Sequence, residues 1–184
     1  MREKYKVMLN DKEYQLPLFN INDQKRIAVF DMLSSCEMAS DAVFALLYKI
    51  KAANLGKIDV VLSAETKGII LADRLANLLD AKMVILRKEN KMYFENVIQG
   101  SVRTYTSKGE NHLYLNGDQA KMIKDKNVLI VDDVVSTGSS LITMEDILAQ
   151  AGGNVVGKAF VFAEGDSYKR DDIIYVDKLP IFEE

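Results

Sequence analysis

The apolar positions of this chain fall into two kinds of run. Short apolar-rich stretches at 58–62, 83–86, 128–131, 155–162 and 173–176 have the length of strands buried on both faces. Between them, apolar residues recur three and four positions apart. Val43, Phe44, Leu47 and Ile50 would line one side of a helix capped by Ser40 or Asp41 and running to about Ala53, with Gly56 closing the connection. Ile69, Ile70, Ala72, Leu75, Leu78 and Leu79 repeat that pattern after the first buried strand. A further helix is predicted over 141–150, ended by Gly152 and Gly153. Strands alternating with helices predict an α/β fold, a parallel sheet covered on both faces. In such sheets, ligands gather at the carboxyl ends of the strands.

Two regions depart from this rhythm. The first thirty residues read as extended pieces at 5–9, 14–18 and 27–30, with a turn at Asn10 and Asp11. Residues 91–117 alternate only weakly, with Tyr, Thr and Val scattered among Gly, Ser and Lys. They predict a mobile hairpin or long loop over about 99–111, then a short strand at 112–115. No repeat, low-complexity segment or Pro/Gly-rich linker divides the chain, so residues 1–184 read as one domain.

Composition narrows the function. Hydrophobic residues make up 48% and charged residues 28% of the 184, a globular balance. The net charge of −3 argues against nucleic acid or an anionic membrane as the main partner. Cys36 is the only cysteine, so no disulfide framework or cysteine metal cluster is expected. The start, MREKYKVML, lacks the apolar core of a signal peptide, and no run approaches the ~18 apolar residues of a membrane span. A cytoplasmic location is the expectation.

The chemistry concentrates in VLIVDDVVSTGSS, residues 128–140. A buried strand runs into Asp132 and Asp133, then into Ser136, Thr137, Gly138, Ser139 and Ser140 at the start of a helix. Free backbone N–H groups and the positive end of a helix dipole suit an anion there. Gly138 allows close approach or positive φ. Taken alone, the hydroxyl run is an ordinary helix cap. The two acids change its weight. They would repel the anion itself but accept hydrogen bonds from vicinal sugar hydroxyls, as acids do in dinucleotide sites, or bind a divalent cation. Leaving one of them half-buried with no partner is costly.

This run resembles the phosphoribosyl-diphosphate (PRPP) binding motif of type I phosphoribosyltransferases: apolar residues, two acids, two apolar residues, then Thr-Gly and a hydroxyl residue. The resemblance implies that Asp132 and Asp133 hold the ribose hydroxyls, that residues 136–140 hold the 5′-phosphate, and that Val134 and Val135 lie against the base. Two further segments fit. SAETKG, residues 63–68, is similar to the pyrophosphate loop of the adenine and xanthine branches, which often holds a non-proline cis peptide. It implies diphosphate contacts from Ala64, Glu65, Thr66 and Lys67. RKENK, residues 87–91, is similar to the Arg-Lys-x-x-Lys of adenine enzymes and brings Arg87, Lys88 and Lys91 to the diphosphate. Asp132, Asp133, Lys67 and Arg87 would then carry catalysis.

The same resemblance implies a three-layer parallel sheet, with a small hood from about 1–35 plus the C-terminal end, a core over about 36–176, and a flexible loop over about 99–111. The implied reaction joins a purine base to PRPP, giving a nucleoside 5′-monophosphate and pyrophosphate, with Mg²⁺ held mainly through PRPP, and a homodimer as the assembly. Adenine is the leading base, with xanthine, hypoxanthine and guanine as alternatives. The Leu-Glu-Tyr-Gly run of adenine enzymes is missing from QGSVRTYTSKGENHLYLNG. Arg103, Tyr105, Lys108 and Glu110 are the loop's catalytic candidates, and His112 is given no role. A PRPP-sensing regulator of this fold would carry a DNA-binding domain, and no helix-turn-helix pattern precedes the hood-like segment.

Overall fold

The computed structural model describes residues 3–102 and 111–183. Five strands form the central sheet: β4 (Val60–Ala64), β5 (Lys82–Leu86), β8 (Asn127–Val135), β9 (Asn154–Glu164) and β10 (Ile174–Leu179). Their order is β10-β9-β8-β4-β5, and every neighbouring pair is parallel. All five carboxyl ends therefore open on one edge. All of β4, and most of β5 and β8, are buried, as their unbroken apolar runs require.

Helices cover both faces. On one face lie α1 (Cys36–Ala52) and α2 (Gly68–Leu78), which bury Ala42, Leu46, Leu71 and Leu75 against Leu129, Val131 and Val161. On the other lies α4 (Ser139–Ala151), whose Leu141, Met144 and Ile147 meet Val128, Ile130 and Phe160. A short α3 (Gly117–Ile123) and a hairpin of β6 (Ile98–Val102) and β7 (Asn111–Leu115) complete this layer. The predicted 99–111 loop is in part this antiparallel hairpin. Its candidates Arg103, Tyr105, Lys108 and Glu110 lie outside the described residues.

A second sheet sits over the first face. Strands β1 (Lys4–Leu9), β2 (Lys12–Asn22) and β3 (Lys25–Ala28) pair in sequence, and β11 (Ile181–Glu183) adds to β3. Val7, Leu9, Leu16 and Phe30 enter the core of that face. Phe30 meets Phe162 of β9 edge-on, with centroids 4.9 Å apart at 81°, worth about 1 kcal/mol beyond simple burial. Tyr14 on β2 donates to Asp41 Oδ2 of α1 at 2.5 Å, and Asn10 Nδ2 donates to the same carboxylate at 3.1 Å. These bonds hold the Asp41 carboxyl below its ordinary range.

The first helix begins earlier than its pattern suggests. Ser35 is the cap, its hydroxyl accepting from the Met38 N–H at 3.2 Å. Ser40 lies inside the helix and donates to the Cys36 carbonyl at 2.8 Å. Asp41 turns to the hood-like sheet instead of capping. Phe44, placed on the buried side by periodicity, is 51% exposed, and small Ala39 and Ala42 take up the contact face. Strand β8 also runs four residues past the predicted end at 131, carrying both aspartates on extended backbone.

Candidate active site

Three neighbouring strand ends build the site. Because β8, β4 and β5 are adjacent, the segments after them meet at one edge. Asp133, at the end of β8, is buried, and its Oδ2 forms an ion pair with Lys67 from the segment after β4. The same Lys67 Nζ donates to the Phe30 carbonyl at 3.1 Å, tying the site to the end of the hood-like sheet. Glu65, also after β4, reaches the other way. Its Oε1 lies 2.7 Å from Arg87 Nε, an ion pair rather than an aligned hydrogen bond. Its Oε2 accepts from the Lys88 backbone N–H at 2.8 Å. Two carboxylates thus stand against two of the cations proposed from the sequence. The Glu65–Thr66 peptide is cis.

Asp132 lies on the other side of the β8 backbone. Its Oδ1 accepts from the Asp133 N–H at 2.9 Å. Burial first, and the Asp133 charge second, push the Asp132 carboxyl up well above its ordinary range. Gly68, the first residue of α2, makes this packing possible. A Cβ there would stand 2.0 Å from Ser63 Oγ and 2.7 Å from Asp132 Oδ1.

Beyond the acids, residues 136–138 curve into α4. Gly138 has φ of 78° and sits at the cap position of the helix, where it has no side chain to offer the first-turn N–H groups of α4. Thr137 Oγ1 and Ser139 Oγ lie 3.1 Å apart, and the Ser139 N–H donates to Thr137 Oγ1 at 3.4 Å. Ser136, Thr137 and Ser140 are exposed. A cavity of about 140 Å³ opens here, lined by Asp132, Val134, Phe160 and all five residues of 136–140. Hydroxyls and the amides of a helix N-terminus around one small cavity suit a compact anion.

The remaining predicted residues are placed less uniformly. Ala64 is buried as the last residue of β4. Lys88 is exposed, and Lys91 pairs with Glu89 of its own turn at 2.7 Å. Val134 keeps some exposed surface, while Val135 is 3% exposed and packs in the α4-side core. Among the described residues, no three His, Cys, Asp or Glu side chains converge to hold a metal. No helix among them is long and apolar enough to cross a membrane. Sequence reasoning missed Ser63, Phe30 and Arg170. Ser63 opens the SAETKG segment but takes no role from that resemblance, Phe30 carries no local signal, and Arg170 sits in a charged turn far along the chain.

This arrangement has counterparts among known proteins. Residues 31–182 match the phosphoribosyl transferase domain family. The chain belongs to that family. An adenine phosphoribosyltransferase of Maridesulfovibrio salexigens is 36% identical over 115 residues, 60% of this chain and 65% of that protein. A hypoxanthine/guanine phosphoribosyltransferase of Methanocaldococcus vulcanius is 34% identical over 122 residues, 65% of this chain and 62% of that protein. The matches thus span just under two thirds of the length of each relative. The crystal structure of adenine phosphoribosyltransferase from Rhodothermus marinus superimposes with a TM-score of 0.67 at 28% identity, covering 83% of this chain and 87% of that one. The fold of this phosphoribosyltransferase-family chain is accordingly the type I one, a parallel sheet between helical layers.

Proposed function

We propose that the chain transfers the 5-phosphoribosyl group of PRPP to a purine base, releasing pyrophosphate and a nucleoside 5′-monophosphate. The observation that carries this reading is the meeting, on adjacent strand ends, of an anion cradle (136–140), an acid pair (Asp132, Asp133) and two braced cations (Lys67, Arg87). That order suits a phosphate, a ribose and a diphosphate in sequence.

In this reading the 5′-phosphate takes the cavity beside Gly138, and the ribose hydroxyls donate to Asp132 and Asp133. The bond between C1 and the diphosphate oxygen breaks as a base nitrogen forms its bond to C1; the electron pair of the broken bond leaves on pyrophosphate, and the N–H proton of the base passes to solvent. Positive charge gathers on the ribose ring and negative charge on the leaving group. Lys67 turns from Asp133 toward the diphosphate, which frees Asp133 for the sugar. Arg87 and the backbone N–H groups after β4 meet the same anion. Magnesium would be held chiefly by diphosphate oxygens, since no three His, Cys, Asp or Glu side chains converge among the described residues, and it would supply charge neutralisation at the leaving group. Val134 and Val135 lie on the base side of the cradle in this reading, with Val134 the more exposed of the two.

Adenine is the leading base. Hypoxanthine and guanine form the second reading, favoured by the archaeal relatives that carry those names. The assembly in this reading is a homodimer, supported by the exposed Phe44, Tyr48 and Leu78 on α1 and α2. The test mixes protein, Mg²⁺, PRPP and each of adenine, hypoxanthine, guanine and xanthine, and separates the products by chromatography. One base converted, with activity lost in Asp133→Asn, is the expected result. No nucleotide from any base would overturn the reading, and sedimentation of the same sample tests the dimer.

A further inference from the structure

Residues 136–140 contain hydroxyls and a glycine but no cation. A cation nevertheless stands beside them. Arg170 follows a short 3-10 turn (Gly165–Lys169) between β9 and β10, and its N–H donates to the Ser167 carbonyl at 3.1 Å. That turn is fixed to the cradle. The buried Ser167 hydroxyl lies 2.8 Å from the Val135 carbonyl and 2.8 Å from the Glu164 carbonyl, and its one hydrogen, shared between them, links the turn to the last residue of β8. Arg170 Nη1 then lies 3.0 Å from the point a Cβ on Gly138 would occupy.

The guanidinium is aimed as well as placed. Its Nε and Nη2 donate to Asp172 Oδ1 and Oδ2 at 2.9 and 2.7 Å, a two-point grip that fixes the plane. Asp172 is held in turn by Lys158 at 2.7 Å, and Lys158 reaches Glu145 of α4 at 2.5 Å. This chain of alternating charge runs from the helix behind the cradle to the arginine in front of it. Asp172 uses one edge of the fork. Nη1 makes no hydrogen bond among the described residues and is the nitrogen nearest the cradle. The side chain is 32% exposed, so its charge is open to a ligand.

We propose that Arg170 is a ligand of the 5′-phosphate, oriented toward it by Asp172, and that it makes the cradle selective for phosphorylated ribose. Gly138 is needed here for its positive φ and for leaving the line between Arg170 and the phosphate clear. The inference rests on the phosphoribosyl reading above. The rest of the ligand is served by Lys67 and Arg87, on the far side of the acid pair, and is independent of Arg170.

The test is calorimetric and needs no turnover. Ribose 5-phosphate and inorganic pyrophosphate are titrated separately into the wild-type chain, Arg170→Gln, Arg170→Lys and Asp172→Asn. Losing a charge-assisted pair of bonds should weaken ribose 5-phosphate binding about tenfold or more in Arg170→Gln and leave pyrophosphate unchanged. Arg170→Lys should recover part of the loss, because the charge returns without the fork. Asp172→Asn, which keeps the cation and loosens its grip, should fall between and stands in if Arg170→Gln does not fold. Equal loss for both ligands would mean that the turn only shapes the site, and no loss for ribose 5-phosphate would remove Arg170 from it; either overturns the proposal. The purine assay separates the two claims: a wild-type chain that makes nucleotide while Arg170→Gln binds ribose 5-phosphate normally sinks this inference alone.

Discussion

Gly68→Ala tests how tightly the first turn of α2 is fitted against the acid pair. The new Cβ would stand 2.0 Å from Ser63 Oγ, 2.7 Å from Asp132 Oδ1 and 3.3 Å from Ser63 Cβ. The hydroxyl can rotate away, but Ser63 is a fully buried strand residue and its Cβ cannot. The Asp132 carboxylate must then yield as well. Overpacking of this kind costs about 1–3 kcal/mol, only partly offset by the ~1 kcal/mol by which alanine exceeds glycine in a helix. Ser63→Ala alone should be near neutral, because its buried hydroxyl finds no hydrogen-bond partner among the described residues. In the double variant the worst clash disappears, so urea unfolding should show a coupling of about 1 kcal/mol between the two changes. Activity should behave differently. Asp132 stays displaced in both glycine variants, so kcat/KM for PRPP should remain at least about tenfold down when stability is restored, a transition-state loss of about 1.4 kcal/mol. Strict additivity in the unfolding cycle, or a Gly68→Ala chain with normal kinetics, would refute the packing account.

Other perturbations reach other joints. Tyr14→Phe removes the hydroxyl that grips Asp41, and urea titration should show a loss of about 1–2 kcal/mol. Because Asp41 is held below its ordinary 3.8, its contribution is present above that pH and lost as pH falls further, so the gap between variant and wild type should close in acid. Asp132 has the opposite sign. Its raised carboxyl makes the folded chain hold a proton that the unfolded chain gives up, so stability falls as pH climbs above about 4. Asp132→Asn should flatten that fall in melts from pH 4 to 8 while abolishing transfer, and a parallel slope in both proteins would count against the raised carboxyl. Glu65→Ala should raise the KM for PRPP several-fold by freeing Arg87, with Glu65→Gln milder because it can still accept from the Lys88 N–H; identical values in both would show that the pairing is idle.

What could be read in advance follows the range of the interactions. The buried strands were legible because burial on both faces demands unbroken apolar runs, whereas the extension of β8 through Asp132 and Asp133 to Val135 was not, because acids at its end look like a strand end. Neighbouring chemistry within one loop, such as residues 136–140, was legible. The start of α1 was not, since Ser35, Ser40 and Asp41 are all able to cap and only the packing of Met38 and Ala39 selects Ser35. The short α3 has just Ala120, Met122 and Ile123 to bury, too few for a periodic signal. Pairings across strand ends were invisible. Glu65 meets Arg87, and Arg170 meets Gly138, because β5, β4, β8, β9 and β10 lie in the order they do, which no local spacing encodes.

The sheet over the site has a consequence in time. Its edge strand β3 is completed by β11, with Ile27 facing Ile181 and Arg26 facing Phe182. A ribosome extrudes β1, β2 and β3 early and β11 near the end of the described chain. Throughout that interval β3 is an open edge, able to template pairing with another nascent copy. The sheet over the site is thus among the last parts of the described chain to be sealed. Closing it depends on a contact of high sequence separation, the slowest kind to form. Lys25 and Glu183, exposed and paired at 3.3 Å across that seam, place charge on the strand while it waits.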